Sequence, residues 1–193
     1  MFPVFLKLAG RRVLLVGGGP VAAGKLRALL DAGADVAVVA PVIAPAIAAE
    51  RITVARRPFQ PEDLDGVWYV VAAAPRDVNA HVAREAAVRG IFVNAVDDVE
   101  NASAYAGAIL RRAGVTIALS TDGDAPALAG LLREALEVVL PDDLETWMTC
   151  ARDARRSWLA AGVPMEQRRP LLLEALLNLY EQRGVAAART GPA

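Results

Sequence analysis

The stretch RVLLVGGGPVA, residues 12–22, determines the fold expected for the first half of the chain. The continuous apolar run before the glycines is typical of a strand buried on both faces of a parallel sheet. The glycines together with Ala22 fit the pattern G-x-G-x-x-A, in which glycine permits a tight turn and a close approach of pyrophosphate. Apolar residues then recur at helical spacing. The stretch therefore predicts a strand, a turn able to hold phosphate and a helix.

Four more apolar runs follow at intervals, at residues 35–41, 52–56, 67–74 and 91–98, with helical patterns at 43–50 and 77–89. This alternation predicts an α/β fold, a Rossmann-type doubly wound parallel sheet. After residue 101 the pattern changes to two strands joined at 112–114, an apolar-striped helix and two further helices at about 142–160 and 164–182. We expect three regions: a nucleotide-binding domain (1–100), a small α+β module (101–141) and a helical tail (142–193).

The glycine turn is the candidate phosphate site. Gly17 permits the turn, Gly19 leaves room for a ligand, and Pro20 is tolerated at a helix start that carries about half a positive charge. The acidic residue that usually holds the ribose is missing, since the second strand ends in Val38–Pro41. No arginine stands at that position to bind a 2′-phosphate either. The residues alone leave open NAD or NADP, and also a turn without a ligand.

The fifth strand ends in polar residues. It brings Asn94, Asp97 and Asp98 to the carboxyl edge of the sheet, where ligands bind in this type of fold. A carboxylate beside a nicotinamide can act as a general base. Aspartates in turns also cap the segment that follows them, and the sequence alone does not separate the two roles.

The composition excludes several other classes of protein. Cys150 is the only cysteine, which argues against an internal disulfide and a thiolate metal cluster. His81 is the only histidine, so a histidine metal site or a Ser-His-Asp triad would have to depend on it. A net charge of −1 argues against a nucleic-acid binder. No apolar run approaches the length of a membrane span, and the N-terminal charges follow the apolar residues, the reverse of a secretory signal. We expect a cytoplasmic protein.

Three stretches in this order and spacing resemble a known family. They are VFLKLAGRRVLLVGGGPVAAGK (4–25), FVNAVDD (92–98) and TIALSTDGDAPALAGLLREALE (116–137). Together they resemble the precorrin-2 dehydrogenase family, the dehydrogenase and ferrochelatase part of siroheme synthase. The resemblance runs in register from about residue 3 to residue 141 and is weaker over the helical tail.

The resemblance implies NAD-dependent oxidation of precorrin-2 to sirohydrochlorin, followed in bifunctional members by insertion of ferrous iron to give sirohaem. It also implies a homodimer formed through the middle module, with the tail helping to enclose the tetrapyrrole. The key aspartate of the family falls on Asp97. The implied NAD contacts are Gly17, Gly19, Pro20, Val21, Pro41 and Val42, and the expected substrate contacts are Asn94, Ser120 and Arg111.

Two alternatives remain open at this point. One is a dehydrogenase that works with a separate chelatase, and the other is a non-catalytic nucleotide-sensing domain, although such domains usually keep the acid after the second strand. The chain also departs from the family at Asp122 and Asp124, where many members have neutral or basic residues. Extra negative charge there bears on how a polyanionic substrate binds.

Overall fold

The computed structural model describes the backbone of residues 1–189 and the side chains of residues 1–180. A first compact unit, Met1–Gly107 with Ser120–Pro126, contains a five-stranded parallel sheet. Its strands are β1 (Arg12–Val16), β2 (Asp35–Val39), β3 (Thr53–Ala55), β4 (Tyr69–Ala72) and β5 (Phe92–Ala95). The order across the sheet is β3-β2-β1-β4-β5. The chain therefore reverses its direction of winding between β1 and β4, the position at which such sheets bind ligands.

Three helices connect these strands: α1 (Pro20–Asp31), α2 (Pro45–Ala48) and α3 (Arg76–Val88). The predicted Rossmann-type arrangement is confirmed, with α2 shorter than the predicted helix at 43–50. Two short 3₁₀ helices, Pro61–Leu64 and Val99–Asn101, were not anticipated from the sequence. They lack a hydrophobic period because each is only three or four residues long.

The sheet is buried on both faces, as its apolar strands require. Leu15 of β1 packs with Leu26 of α1 on one face, and Val70 of β4 packs with Val82 of α3 on the other. All four side chains are at most 2% exposed. This burial holds the carboxyl ends of the strands at a common edge.

A second compact unit consists of Ala108–Leu119 and the chain from Ala127 onward. It contains the antiparallel pair β6 (Ala108–Arg112) and β7 (Val115–Leu119), which confirms the predicted hairpin, and three helices. These are α4 (Pro126–Val139), α5 (Leu144–Ala160) and α6 (Met165–Arg189). Arg112 ties the hairpin to the end of α4, because its guanidinium donates to the carbonyl oxygens of Glu137 and Leu140.

The functions expected of residues 1–100, 101–141 and 142–193 stay predictions, and the last four residues of the third region lie outside the described residues. None of the helices in the part of the chain that the structure describes is long and apolar enough to cross a membrane.

Tyr69 gives the core a measurable dependence on pH. Burial raises the pKa of its phenol from 10.0 to about 12. Because the folded-state pKa lies above the unfolded one, this contribution to stability is complete below pH 10 and is lost as the pH rises through 12. We expect the free energy of unfolding to fall by about 2–3 kcal/mol more in the natural protein than in Tyr69→Phe over that range. Urea denaturation at pH 9 to 12 measures the free energy of unfolding of both proteins. The prediction is contradicted if this free energy falls equally with pH in the two.

Candidate functional site

The glycine turn after β1 is fixed by contact with the neighbouring strand β4. Gly17 has a φ of 130°, a region that L side chains rarely adopt. A Cβ at this position would lie 2.2 Å from the carbonyl oxygen of Ala73, just past the end of β4. The Gly17 N–H donates to the carbonyl of Val39 at 2.9 Å, which ties the turn to β2 as well. The turn therefore requires glycine at position 17.

Gly18 makes an even closer approach on the other side. A Cβ there would lie 1.9 Å from the carbonyl oxygen of Val42, and the Gly18 carbonyl accepts a hydrogen bond from the N–H of Ala44 at 2.8 Å. These contacts place the segment containing Pro41 and Val42 directly against the glycine turn. The predicted cofactor residues of the glycine turn and of the segment after β2 are thus brought together. The contact is made by Gly18, which occupies a variable position in the pattern G-x-G-x-x-A.

Gly19 faces open space. An added Cβ would meet no atom within 4 Å, and no side chain caps the start of α1. Pro20 occupies the first turn and no acidic residue is present there, while Val21 is half exposed. An uncapped helix start beside open backbone is a suitable place for a phosphate, because its N–H groups carry partial positive charge. These residues therefore fit the pyrophosphate of a dinucleotide.

The two aspartates after β5 have different environments. Asp98 is 7% exposed and accepts a hydrogen bond from Asn101 Nδ2 at 2.8 Å, at the start of the 3₁₀ helix Val99–Asn101. Asp97 is exposed and makes no hydrogen bond or ion pair among the described residues. Its φ of 56° lies in the left-handed region, which is uncommon outside glycine and often marks functional sites. Asp98 therefore has the structural role, and Asp97 is left available for chemistry.

Asn79, in the first turns of α3, anchors this arrangement. It is 2% exposed, its Oδ1 accepts from the N–H of Ala74 at 3.2 Å, and its Nδ2 approaches Asp98 Oδ2 at 3.5 Å. Arg76 Nε lies 3.8 Å from Asp98 Oδ1. Buried polar groups need such partners, so this network fixes the backbone that carries Asp97.

A cavity of about 300 Å³ opens beside Asp97. Ala74, which lines it, directly follows Ala73, whose carbonyl lies against Gly17. The cavity is mainly polar and contains one arginine and three acids. Its lining residues are Ala74, Arg76, Asn79, Val96, Asp97, Asp98, Val99 and Glu100.

The loop that contains Ser120 approaches the same region. Its Gly123 lies so close to Val99 that a Cβ would be 3.0 Å from Val99 Cγ2. Ser120 is exposed, and its Oγ accepts from the N–H of Asp122 at 3.2 Å. The third stretch that carries the family resemblance therefore contacts the residue that directly follows the second stretch.

The two other predicted substrate residues are placed differently. Asn94 is 6% exposed, and its Nδ2 donates to the carbonyl oxygen of Ala104 at 3.0 Å, which holds the segment after β5 against that strand. Arg111 is exposed on β6 in the second unit. Their roles in substrate binding stay predictions.

Gly18, Arg76 and Asn79 contribute to this edge of the sheet but are not among the site residues predicted from the sequence. The signal for the last two was available in the segment APRDVN, residues 74–79, because the loop after β4 borders the point where the winding reverses. Gly18 carried no such signal, since its contact is with a residue 24 positions later in the chain.

Residues 4–108 match a family model described as "Putative NAD(P)-binding". Siroheme synthase 1 of Aeromonas salmonicida is 42% identical over 192 residues, which cover 97% of this chain and 41% of that protein. Siroheme synthase of Chromobacterium violaceum is 46% identical over 145 residues, covering 72% and 31%. A solved structure of SirC, precorrin-2 dehydrogenase, matches with a TM-score of 0.71 and 28% identity, covering 90% of this chain and 88% of that one.

These findings confirm the resemblance predicted from the three sequence stretches. The chain spans about two fifths of the length of the siroheme synthases it matches first.

The glycine turn provides a matched pair of substitutions. Gly18→Ala should lower the free energy of unfolding by about 1–3 kcal/mol, because its Cβ would overlap the backbone carbonyl of Val42. Gly19→Ala should change it by less than about 0.5 kcal/mol, because φ is −86° and the space is open. Urea denaturation measures both. Equal losses in the two variants would contradict the assignment of the close contact to Gly18.

Proposed function

Because the chain belongs to the NAD(P)-binding family whose model it matches, we propose that it is a dehydrogenase that uses NAD to oxidise precorrin-2 to sirohydrochlorin. The named relatives and the precorrin-2 dehydrogenase neighbour support this substrate. The single observation that carries the proposal is the exposed carboxylate of Asp97, which lines the cavity and makes no hydrogen bond or ion pair among the described residues.

The glycine turn and the segment after β2 hold the cofactor in this proposal. The N–H groups at the start of α1 would hold the pyrophosphate, together with Gly17, Gly19, Pro20 and Val21. Pro41 and Val42, in the segment that contacts Gly18, would contact the adenosine part. When bound, NAD supplies the hydride acceptor. The loops after β4 and β5 lie at the same carboxyl edge of the sheet as the glycine turn.

Asp97 accepts the proton that precorrin-2 loses when its hydride leaves. The products are then sirohydrochlorin, NADH and a proton, so two electrons and two hydrogens are accounted for. General-base catalysis of this kind contributes about a hundred- to ten-thousand-fold in rate. Asp98 and Asn79 act as positioning residues, because their network holds the backbone of Asp97. Ser120, Asn94 and Arg111 are proposed to contact the substrate.

Asp97→Ala should abolish NAD-dependent oxidation of precorrin-2 while the affinity for NAD stays within about threefold, because the side chain lies outside the pyrophosphate cradle. The tetrapyrrole absorption spectrum follows the reaction, and calorimetry measures NAD binding. Asp35→Ala is the control, since it removes an exposed carboxylate at the opposite edge of the sheet. Gly19→Ala should instead weaken NAD binding and leave the oxidation of precorrin-2 active at saturating NAD. An active Asp97→Ala enzyme would remove Asp97 from the mechanism.

The same assay separates the alternatives. After oxidation, ferrous or cobaltous ion is added as substrate, and the spectrum reports metal insertion. The free carboxylate of Asp97 is able to accept the pyrrole protons that insertion releases, so we keep the ferrochelatase activity in the proposal. Oxidation without insertion selects the dehydrogenase that works with a separate chelatase. NAD binding without oxidation selects the nucleotide-sensing domain.

The proposed protein partner is a second copy of the chain, with a cytoplasmic location. Leu128, Leu131 and Leu132 of α4 are all at least 44% exposed, an apolar face that an interface between subunits would cover.

Leu131→Asp should convert a dimer into monomers, because it places a charge on that apolar face of α4. Light scattering coupled to size exclusion measures the mass. Val88→Asp is the control, since Val88 is 84% exposed on α3 of the first unit. A natural protein that is monomeric, or a dimer that Leu131→Asp leaves intact, contradicts the proposed interface.

A further inference from the structure

The segment after β2 contains no cationic residue, but the strand order places Arg56 next to it. β3 lies beside β2 in parallel, with Val39 opposite Ala55, and the N–H of Ala40 donates to the carbonyl oxygen of Ala55 at 3.1 Å. Arg56 is the next residue after β3. It therefore stands at the carboxyl edge of the sheet, one strand away from the segment that begins with Pro41. Neighbouring strands are about 4.8 Å apart, a gap that an arginine side chain spans.

The alternation of side chains along β3 gives the face. Val54 packs in the same cluster as Val38 and Ala40, and Ala55 packs in the cluster on the other face of the sheet. Continued alternation assigns position 56 to the face of Val54 and Ala40, which is also the face covered by α1. Arg56 is thus on the same face of the sheet as α1, the helix that begins directly after the glycine turn.

The two arginines after β3 differ in their partners. Arg57 donates to both carboxylate oxygens of Asp63, at 2.8 and 2.5 Å, and this hydrogen bonding is the main reason that the pKa of Asp63 is lowered. Arg56 is exposed and makes no ion pair among the residues that the structure describes. The guanidinium of Arg57 is therefore occupied by its ion pair with Asp63, whereas that of Arg56 is available to a ligand.

We infer that Arg56 binds the 2′-phosphate of NADP at the adenosine end of the site, so that the protein accepts NADP as well as NAD. This inference rests on the proposed dinucleotide site. A guanidinium forms paired, charge-assisted hydrogen bonds with phosphate. An acidic residue at the end of β2 would repel that phosphate, and the segment Val38–Pro41 contains none. The 2′-phosphate is thus recognised by a residue that follows β3, rather than by a residue at the end of β2.

Direct binding measurements test this inference without turnover. Calorimetry gives the dissociation constants of NAD and NADP for the natural protein, Arg56→Gln, Arg56→Lys and Arg51→Gln. Arg51 is the matched control, because it is an exposed arginine before the amino end of the same strand. Arg56→Gln should weaken NADP binding by about tenfold, the effect of one charge-assisted contact, and NAD binding by less than about threefold. Arg56→Lys should restore part of the NADP affinity, and Arg51→Gln should change neither constant.

Each result bears on one proposal. If the natural protein binds NAD but not NADP, or if Arg56→Gln weakens both cofactors equally or neither, the inference is wrong and the dinucleotide site stands. If NAD itself does not bind, the proposed function fails first. A weaker dependence of NADP affinity on salt in Arg56→Gln than in the natural protein is a second expected sign, because a charge pair has been removed.

Discussion

The close approach of backbone to backbone at Gly17 and Gly18 is the constraint on which this edge of the sheet depends. The turn lies between the carbonyl oxygens of Ala73 and Val42, at distances that exclude any Cβ. It thereby joins the ends of β1, β2 and β4 and leaves Gly19 facing open space. A helix start without a side-chain cap follows at once, so the same packing that closes the fold leaves N–H groups of the kind that suit an anion.

The polar network around Asn79 fixes the neighbouring loop, which follows β5 and carries Asp97 and Asp98. Burial of Asp98 is costly unless its oxygens have partners, and Asn79, Asn101 and Arg76 supply them. Next to the fixed Asp98, Asp97 adopts a left-handed conformation and is exposed beside the cavity. Asp98 is thus held by partners, and the adjacent Asp97, the proposed base, makes no hydrogen bond or ion pair among the described residues.

Charge at this edge of the sheet is unusual for a protein proposed to bind a polyanionic tetrapyrrole. Asp97, Asp98 and Glu100 line the cavity with Arg76, and Asp122 lies in the loop that contacts Val99. Arg76 is shared between Asp98 and Glu100, so part of this negative charge is compensated locally. At the other end of the proposed site, Arg56 follows the edge strand β3 and makes no ion pair among the described residues.

The sequence by itself determined the succession of strands and helices, the glycine turn and the carboxylates after β5, because hydrophobic period and turn chemistry are local properties of the chain. It also identified the family, through three stretches in a fixed order. Only the tertiary structure decided which aspartate is free, why Gly18 must be glycine and that Arg56 stands beside the end of β2. Each of these depends on strand order or on a contact between segments distant in sequence, which no local pattern of residues encodes.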